Sequence, residues 1–230
     1  VAAALLAPLD DVAVEISSHG FELPGRLTVP EPARGVIVFA PDIDGAGRAL
    51  DDGSVAARLC ELGFGTLVFD LLAPEELHAG GDAVDLDVLA VRLLVATRWL
   101  RAHLEGSAPA VAYFGVRTSA AAALLAAAED PSISAVVVRS GRLHSVVPVL
   151  DAVHAATLLV VGEGDPVTRD DNLHAASALT CDHSLVVVPN AGDRFVEPGT
   201  LDTSTRLAGA WFLEHLPPTT SGGHSHEQHR

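Results

Sequence analysis

The stretch Ala112–Ala128, AYFGVRTSAAAALLAAA, decides the fold. Its opening "AYFG" is apolar and aromatic, as in a buried strand, and its closing "AAAALLAAA" is built from strong helix formers. Only Val116-Arg117-Thr118-Ser119 lies between them. That is too short for an ordinary loop, so the chain must turn sharply from strand into helix. An arginine stands at the apex of that turn.

The same alternation runs outward in both directions. Short apolar runs at 35–41, 65–72, 110–115, 134–141, 156–162 and 184–190 read as parallel strands covered on both faces. Helical patterns fall between them, at about 48–62, 83–104, 118–129, 170–180 and 200–215. In the second of these, Leu86, Leu89, Leu93 and Leu100 form the apolar stripe, with Asp85, Arg92 and Arg101 away from it. This pattern predicts an α/β fold with a mostly parallel, doubly wound sheet and right-handed crossovers. Ahead of it, "DVAVEISS" and "FELPGRLTVP" meet at "HG" and read as an antiparallel hairpin that starts the sheet. No insertion long enough for a lid interrupts the strands. One domain over 1–216 is expected, followed at 217–230 by a flexible His-rich tail that has no apolar pattern to pack.

Composition narrows the partners. All 14 basic residues are Arg, Met is absent, and the formal net charge is −16. Such a balance disfavours nucleic acid and anionic membrane, and leaves a small molecule, a protein or a second copy of the chain. Cys60 and Cys181 make no disulfide framework, and neither lies in a strand-to-helix turn where a nucleophile would sit. "VAAALLAPLDD" has no positive n-region and is too short to span a membrane, so a cytoplasmic protein is expected. The missing initiator Met points to a different start codon or an upstream segment.

Ligands of such sheets bind at the carboxyl ends of the strands. The loops there read "PDIDGAG" (41–47), "LLAPEELHAGG" (71–81), "GVRTS" (115–119), "SGRLHS" (140–145), "GEGDPVT" (162–168) and "PNAGDRF" (189–195). Together with "LPGRLTVP", "RGVIVFAP", "ATRWLRA", "LLVVGEGD" and "WFLEHL", they resemble, in order and spacing, the dienelactone-hydrolase-type branch of the α/β-hydrolase superfamily. The resemblance covers roughly Ala4 to Leu216.

In that family the elbow reads G-x-S-x-G around a nucleophile. The resemblance puts the nucleophile position on Arg117, the acid on Asp165 and the histidine on Asp193, and it replaces a His-Gly pair by Pro41-Asp42. It therefore implies a degenerate triad. Arg cannot deprotonate, and carboxylates beside an oxyanion hole oppose developing negative charge. Thr118 and Ser119 carry hydroxyls but sit past the apex. Arg117 is expected to enter the crevice, held by Asp165, Asp193, Asp42 or Asp44. Such a cluster can simply fill a dead pocket, or it can anchor a polar ligand through Arg117, Asp42, Asp44, His78 and His144. Those two histidines are ordinarily solvated in loops, yet they offer a base for a still-active ester or lactone hydrolase. A purely structural subunit is a third reading. His224, His226 and His229 read as an adventitious chelator, "GEGDPVTRDDN" lacks the EF-hand pattern, and neither a metal nor a cofactor is expected.

Overall fold

The computed structural model describes residues 10–43, 48–78, 85–104 and 109–216. The His-rich segment 217–230 and Asp44 lie outside them. Eight strands form one sheet: β1 (Asp10–Ser18), β2 (Phe21–Val29), β3 (Val36–Ala40), β4 (Gly65–Phe69), β5 (Val111–Val116), β6 (Ile133–Arg139), β7 (Ala156–Gly162) and β8 (His183–Val188). The helices are α1 (Arg48–Glu61), α2 (Pro74–His78), α3 (Leu86–His103), α4 (Thr118–Glu129), α5 (Pro166–Ala178) and α6 (Thr200–His215). A 3-10 turn spans Val147–Ala152.

The strand order is β1-β2-β4-β3-β5-β6-β7-β8. The expected hairpin forms at one edge, where β2 pairs antiparallel with both β1 and β4, and every other pairing is parallel. From β3 the chain first adds β4 on one side and then β5 on the other. The carboxyl ends of β3 and β5 therefore flank the switch point of the sheet, where a crevice must open. Among the described residues no helix is long and apolar enough to cross a membrane.

Strand periodicity divides the core in two. Val111 and Tyr113 of β5 pack with α3, α4 and α5, while Ala112, Phe114 and Val116 pack with α1 and α6. The alanines of α4 have a physical reason. Ala120 to Ala123 are fully buried, and a Cβ on Gly115 would sit 2.6 Å from Ala120 Cα. Only small residues let the helix lie this close to the strand.

Three expectations need correction. The helix expected at 170–180 starts at Pro166, because Asp165 caps it by accepting from Thr168 N (3.1 Å) and proline suits the first turn. β8 is a half-exposed edge strand, covered less than its apolar sequence suggested. Arg92 is buried, only 1% exposed. Its Nη1 and Nη2 donate to Glu76 Oε2 and Oε1, both at 2.8 Å, and Nη1 also donates to Leu71 O at 2.6 Å. The guanidinium rests 5.5 Å from the Phe21 ring. Arg92 thereby clamps α2 and the loop after β4 onto α3.

The Arg92 hydrogen bonds hold the Glu76 carboxyl below its ordinary value, against the opposing effect of partial burial. Arg92→Met should lower stability by about 3 kcal/mol near neutral pH, since it strands Glu76. A depressed carboxyl contributes stability above its unfolded pKa and loses it as the pH falls through the folded one. Urea titrations should therefore show the gap between wild type and Arg92→Met narrowing below about pH 4. A constant gap would mean that Glu76 does not supply the stabilising charge.

Candidate functional site at the carboxyl ends of the strands

The turn after β5 is as sharp as its sequence demands. Arg117 adopts φ 52° and ψ −118°, a conformation that side-chain-bearing residues avoid. Its backbone is held on three sides: its N–H donates to Arg139 O (3.0 Å), while its carbonyl accepts from Ala120 N (3.3 Å) and Arg142 N (3.2 Å). The fold over-determines this residue, which is how a strained backbone persists.

The side chain is more than nine-tenths buried, with 9% of its surface exposed. Nη1 donates to Asp193 Oδ2 in a short contact, and Nε lies 3.2 Å from Asp42 Oδ2. Nε is nevertheless buried without an aligned hydrogen bond. The two carboxylates differ in setting. Asp42, directly after β3, is 14% exposed, whereas Asp193, in the loop after β8, is 48% exposed.

That second loop is built to present Asp193. Phe195, at φ 55°, is buried and anchors the loop in the core shared with α6. Gly192 N donates to Glu197 Oε2 (3.0 Å), and Gly164 N to Ala191 O (2.8 Å). A Cβ on Gly162 would fall 2.4 Å from Ala191 O, so the glycine that ends β7 lets the loop cross over it.

Other sequence-selected residues lie elsewhere. Asp165 does not join Arg117; its side chain is engaged as the cap of α5. His144 is 79% exposed on the surface, its Nδ1 4.0 Å from Asp171 Oδ2, while Asp171 accepts from the backbone N of Leu143 and His144. His78 is the last residue of α2, and its side chain, like Asp44, is outside the described set. Thr118 opens α4 with its Oγ1 3.4 Å from Arg142 Nη1, and Ser119 is fully buried with its Oγ lacking a hydrogen-bond partner. Among the described residues no three His, Cys, Asp or Glu side chains converge as a metal site.

Sequence reasoning missed a second buried pair beside the first. Arg139 ends β6, 5% exposed, with Nη2 3.6 Å from Asp52 Oδ1 and its guanidinium 5.6 Å from the Phe114 ring. The signal was present in "AVVVRSG", where one charge closes an otherwise apolar strand. Two arginines on neighbouring strand ends thus face aspartates from β3, α1 and the loop after β8.

A crystal structure of a dienelactone hydrolase from Anabaena variabilis is 36% identical, with a TM-score of 0.85 over 90% of this chain and 99% of that one. A lidless α/β serine hydrolase from Xanthomonas campestris shares the fold at 19% identity, with a TM-score of 0.72 over 94% of this chain and all of that one. Among curated proteins, one from Mycobacterium tuberculosis, present in two strains and provisionally named a phosphoribosyl transferase, is 41% identical over 211 residues. The match takes in 91% of this chain and 47% of that protein, so the chain spans about half the length of the curated relatives it matches. No family model matches the chain.

Two substitutions at the elbow separate its charge from its strain. Arg117→Ala should destabilise the domain by about 3 kcal/mol, because Asp42 and Asp193 lose the guanidinium between them. Arg117→Gly loses the same ion pairs but removes the penalty of a side chain at positive φ, so it should be more stable than the Ala variant by about 1 kcal/mol. Chemical denaturation of both proteins measures the difference. An Ala variant as stable as the Gly variant would show that the elbow relaxes once the arginine is gone.

Proposed function

The chain belongs to the dienelactone hydrolase family, and from that premise we propose that it is a catalytically degenerate member that acts by binding a small molecule or a protein partner. The observation that carries this reading is Arg117 itself: the residue at the apex of the elbow is a permanently protonated donor, paired with Asp42 and Asp193. Nucleophilic catalysis requires an activated nucleophile beside a base. The positions implied by family resemblance offer Arg117, Asp193 and Asp165, of which the first two cannot play those parts. The hydroxyls that remain do not rescue them, since Ser119 is enclosed and Thr118 lies past the apex. Active hydrolysis through His144 is disfavoured by its exposure on the surface.

The transferase name of the mycobacterial relatives is accommodated without assigning that chemistry here. More than half of each relative lies beyond the match. The transferase name therefore belongs to those longer proteins and is not carried to this chain.

A fluorophosphonate probe and a panel of p-nitrophenyl esters and lactones test the reading. The wild-type chain should take no covalent label and give turnover indistinguishable from buffer. Labelling of the wild type, or ester turnover lost on Thr118→Ala or His144→Ala, would overturn degeneracy. The double variant Arg117→Ser with Asp193→His should remain folded and acquire labelling, because it restores a serine at the elbow and a histidine base in the loop that faces it.

A further inference from the structure

We propose that the crevice at the ends of β3, β5 and β6 binds the phosphate group of a small phosphomonoester, with Arg117 as its anchor and Asp193 as an internal carboxylate that the ligand displaces. This rests on reading the elbow as a binding site and names what it binds.

Arg117 does not look like a structural clamp, and the same chain supplies the comparison. Arg92 is held by a fork: its terminal nitrogens grip both oxygens of Glu76 and a main-chain carbonyl, and its plane rests on an aromatic face, while its buried Nε has no hydrogen bond. Arg117 is also buried, yet among the described residues its guanidinium donates one aligned hydrogen bond, to Asp193. Its buried Nε faces Asp42 at 3.2 Å without hydrogen-bond alignment. A guanidinium has five N–H donors, and leaving them unmet away from water is costly. The one aligned acceptor is also the half-exposed carboxylate of the two. Asp42 thus balances the charge from within, while Asp193 covers it from the solvent side and can swing away.

The surroundings fit a phosphate better than a second carboxylate. α4 starts at Thr118, immediately beyond Arg117, and its N-cap residue supplies no side-chain acceptor. The N-terminal end of α4, whose dipole favours an anion, follows the elbow directly. Arg142 brings a second guanidinium to within 3.4 Å of Thr118 Oγ1. A phosphomonoester carries nearly two charges and three terminal oxygens, enough to engage Arg117, the helix N-terminus and Arg142 together. The overall charge of −16 opposes the approach of any anion. That field is screened beyond about 8 Å at physiological salt, so contact geometry governs affinity.

Calorimetric titration of the full chain at fixed ionic strength tests the proposal, with phenyl phosphate, inorganic phosphate and acetate as probes. Asp193→Asn should bind phenyl phosphate about tenfold more tightly than wild type, because it removes the competing charge while keeping the loop. On that background Arg142→Gln, a surface change, should weaken binding about fivefold, and Arg117→Lys should weaken it more. Acetate should bind at least about tenfold more weakly than phenyl phosphate. A folded Asp193→Asn protein that binds phenyl phosphate no better than wild type overturns the proposal. So does a preference for acetate, or binding of inorganic phosphate alone. The two readings fail separately: fluorophosphonate labelling of the wild type removes the degenerate-site reading, whereas an unlabelled protein with a phosphate-blind Asp193→Asn variant removes only this one.

Discussion

A methyl group on Gly115 would lie 2.6 Å from Ala120 Cα, and its absence sets how α4 leaves β5. With helix and strand this close, the turn has no room for a linker. Arg117 must take the whole change of direction at φ 52°, a conformation that costs about 1–3 kcal/mol in a residue with a side chain. In return its side chain is delivered to the switch point of the sheet, between the ends of β3 and β5, where Asp42 already stands. Two backbone hydrogen bonds, from Arg117 N to Arg139 O and from Arg142 N to Arg117 O, then tie the elbow to the end of β6 and its loop, so Arg117 and Arg139 are positioned by one piece of main chain.

The charge pattern follows from that placement. Burying a guanidinium alone would be prohibitive, and a buried ion pair is close to neutral for stability while breaking one is not. The chain meets this with an excess of carboxylates: Glu76 for Arg92, Asp52 for Arg139, Asp42 and Asp193 for Arg117. These pairs are not equivalent. The first is a bidentate fork that ties the loop after β4 to α3 and the start of β2. The last divides its cation between an enclosed and a half-exposed acid, which makes it the one pair in which an outside group can exchange with an inside one.

Most of the fold was legible because its signals are local and repeated. Alternating apolar runs and helical stripes gave the order of the elements, and "AYFG" abutting an alanine helix gave the elbow. What escaped depended on distance in space. Arg92 lay off the leucine stripe of α3 and so read as solvent-facing; only the fold brings Glu76 and Leu71 O across from the loop after β4 to meet it. Asp165 was expected at Arg117 because a family resemblance aligned it there, yet the cap signal Asp165-Pro166, visible in the sequence, has the stronger local claim on its side chain. Asp193 and Asp42 did reach Arg117, from loops separated from it by 76 and 75 residues in the chain. No periodicity reports a contact over such a separation.

On the proposed reading of Arg117 as standing in the place of a nucleophile, the surroundings of that position need not be dismantled with it. An oxyanion hole is made from main-chain N–H groups at the start of a helix, and those are fixed by the path of the backbone and not by the side chain at its apex. The path here is of that kind: the turn is tight, α4 begins one residue beyond Arg117, and the Arg117 side chain makes no capping hydrogen bond to it. A guanidinium at the apex adds a full positive charge beside donors that favour an anion. The same architecture that would stabilise a transient negative charge in a reaction then suits a permanent one. Against this, each added carboxylate lowers the local potential, and Asp42, being enclosed, always counts. Asp193 counts only while it stays in place, so the character of the crevice turns on a single half-exposed side chain and on how firmly Phe195 anchors the loop that carries it.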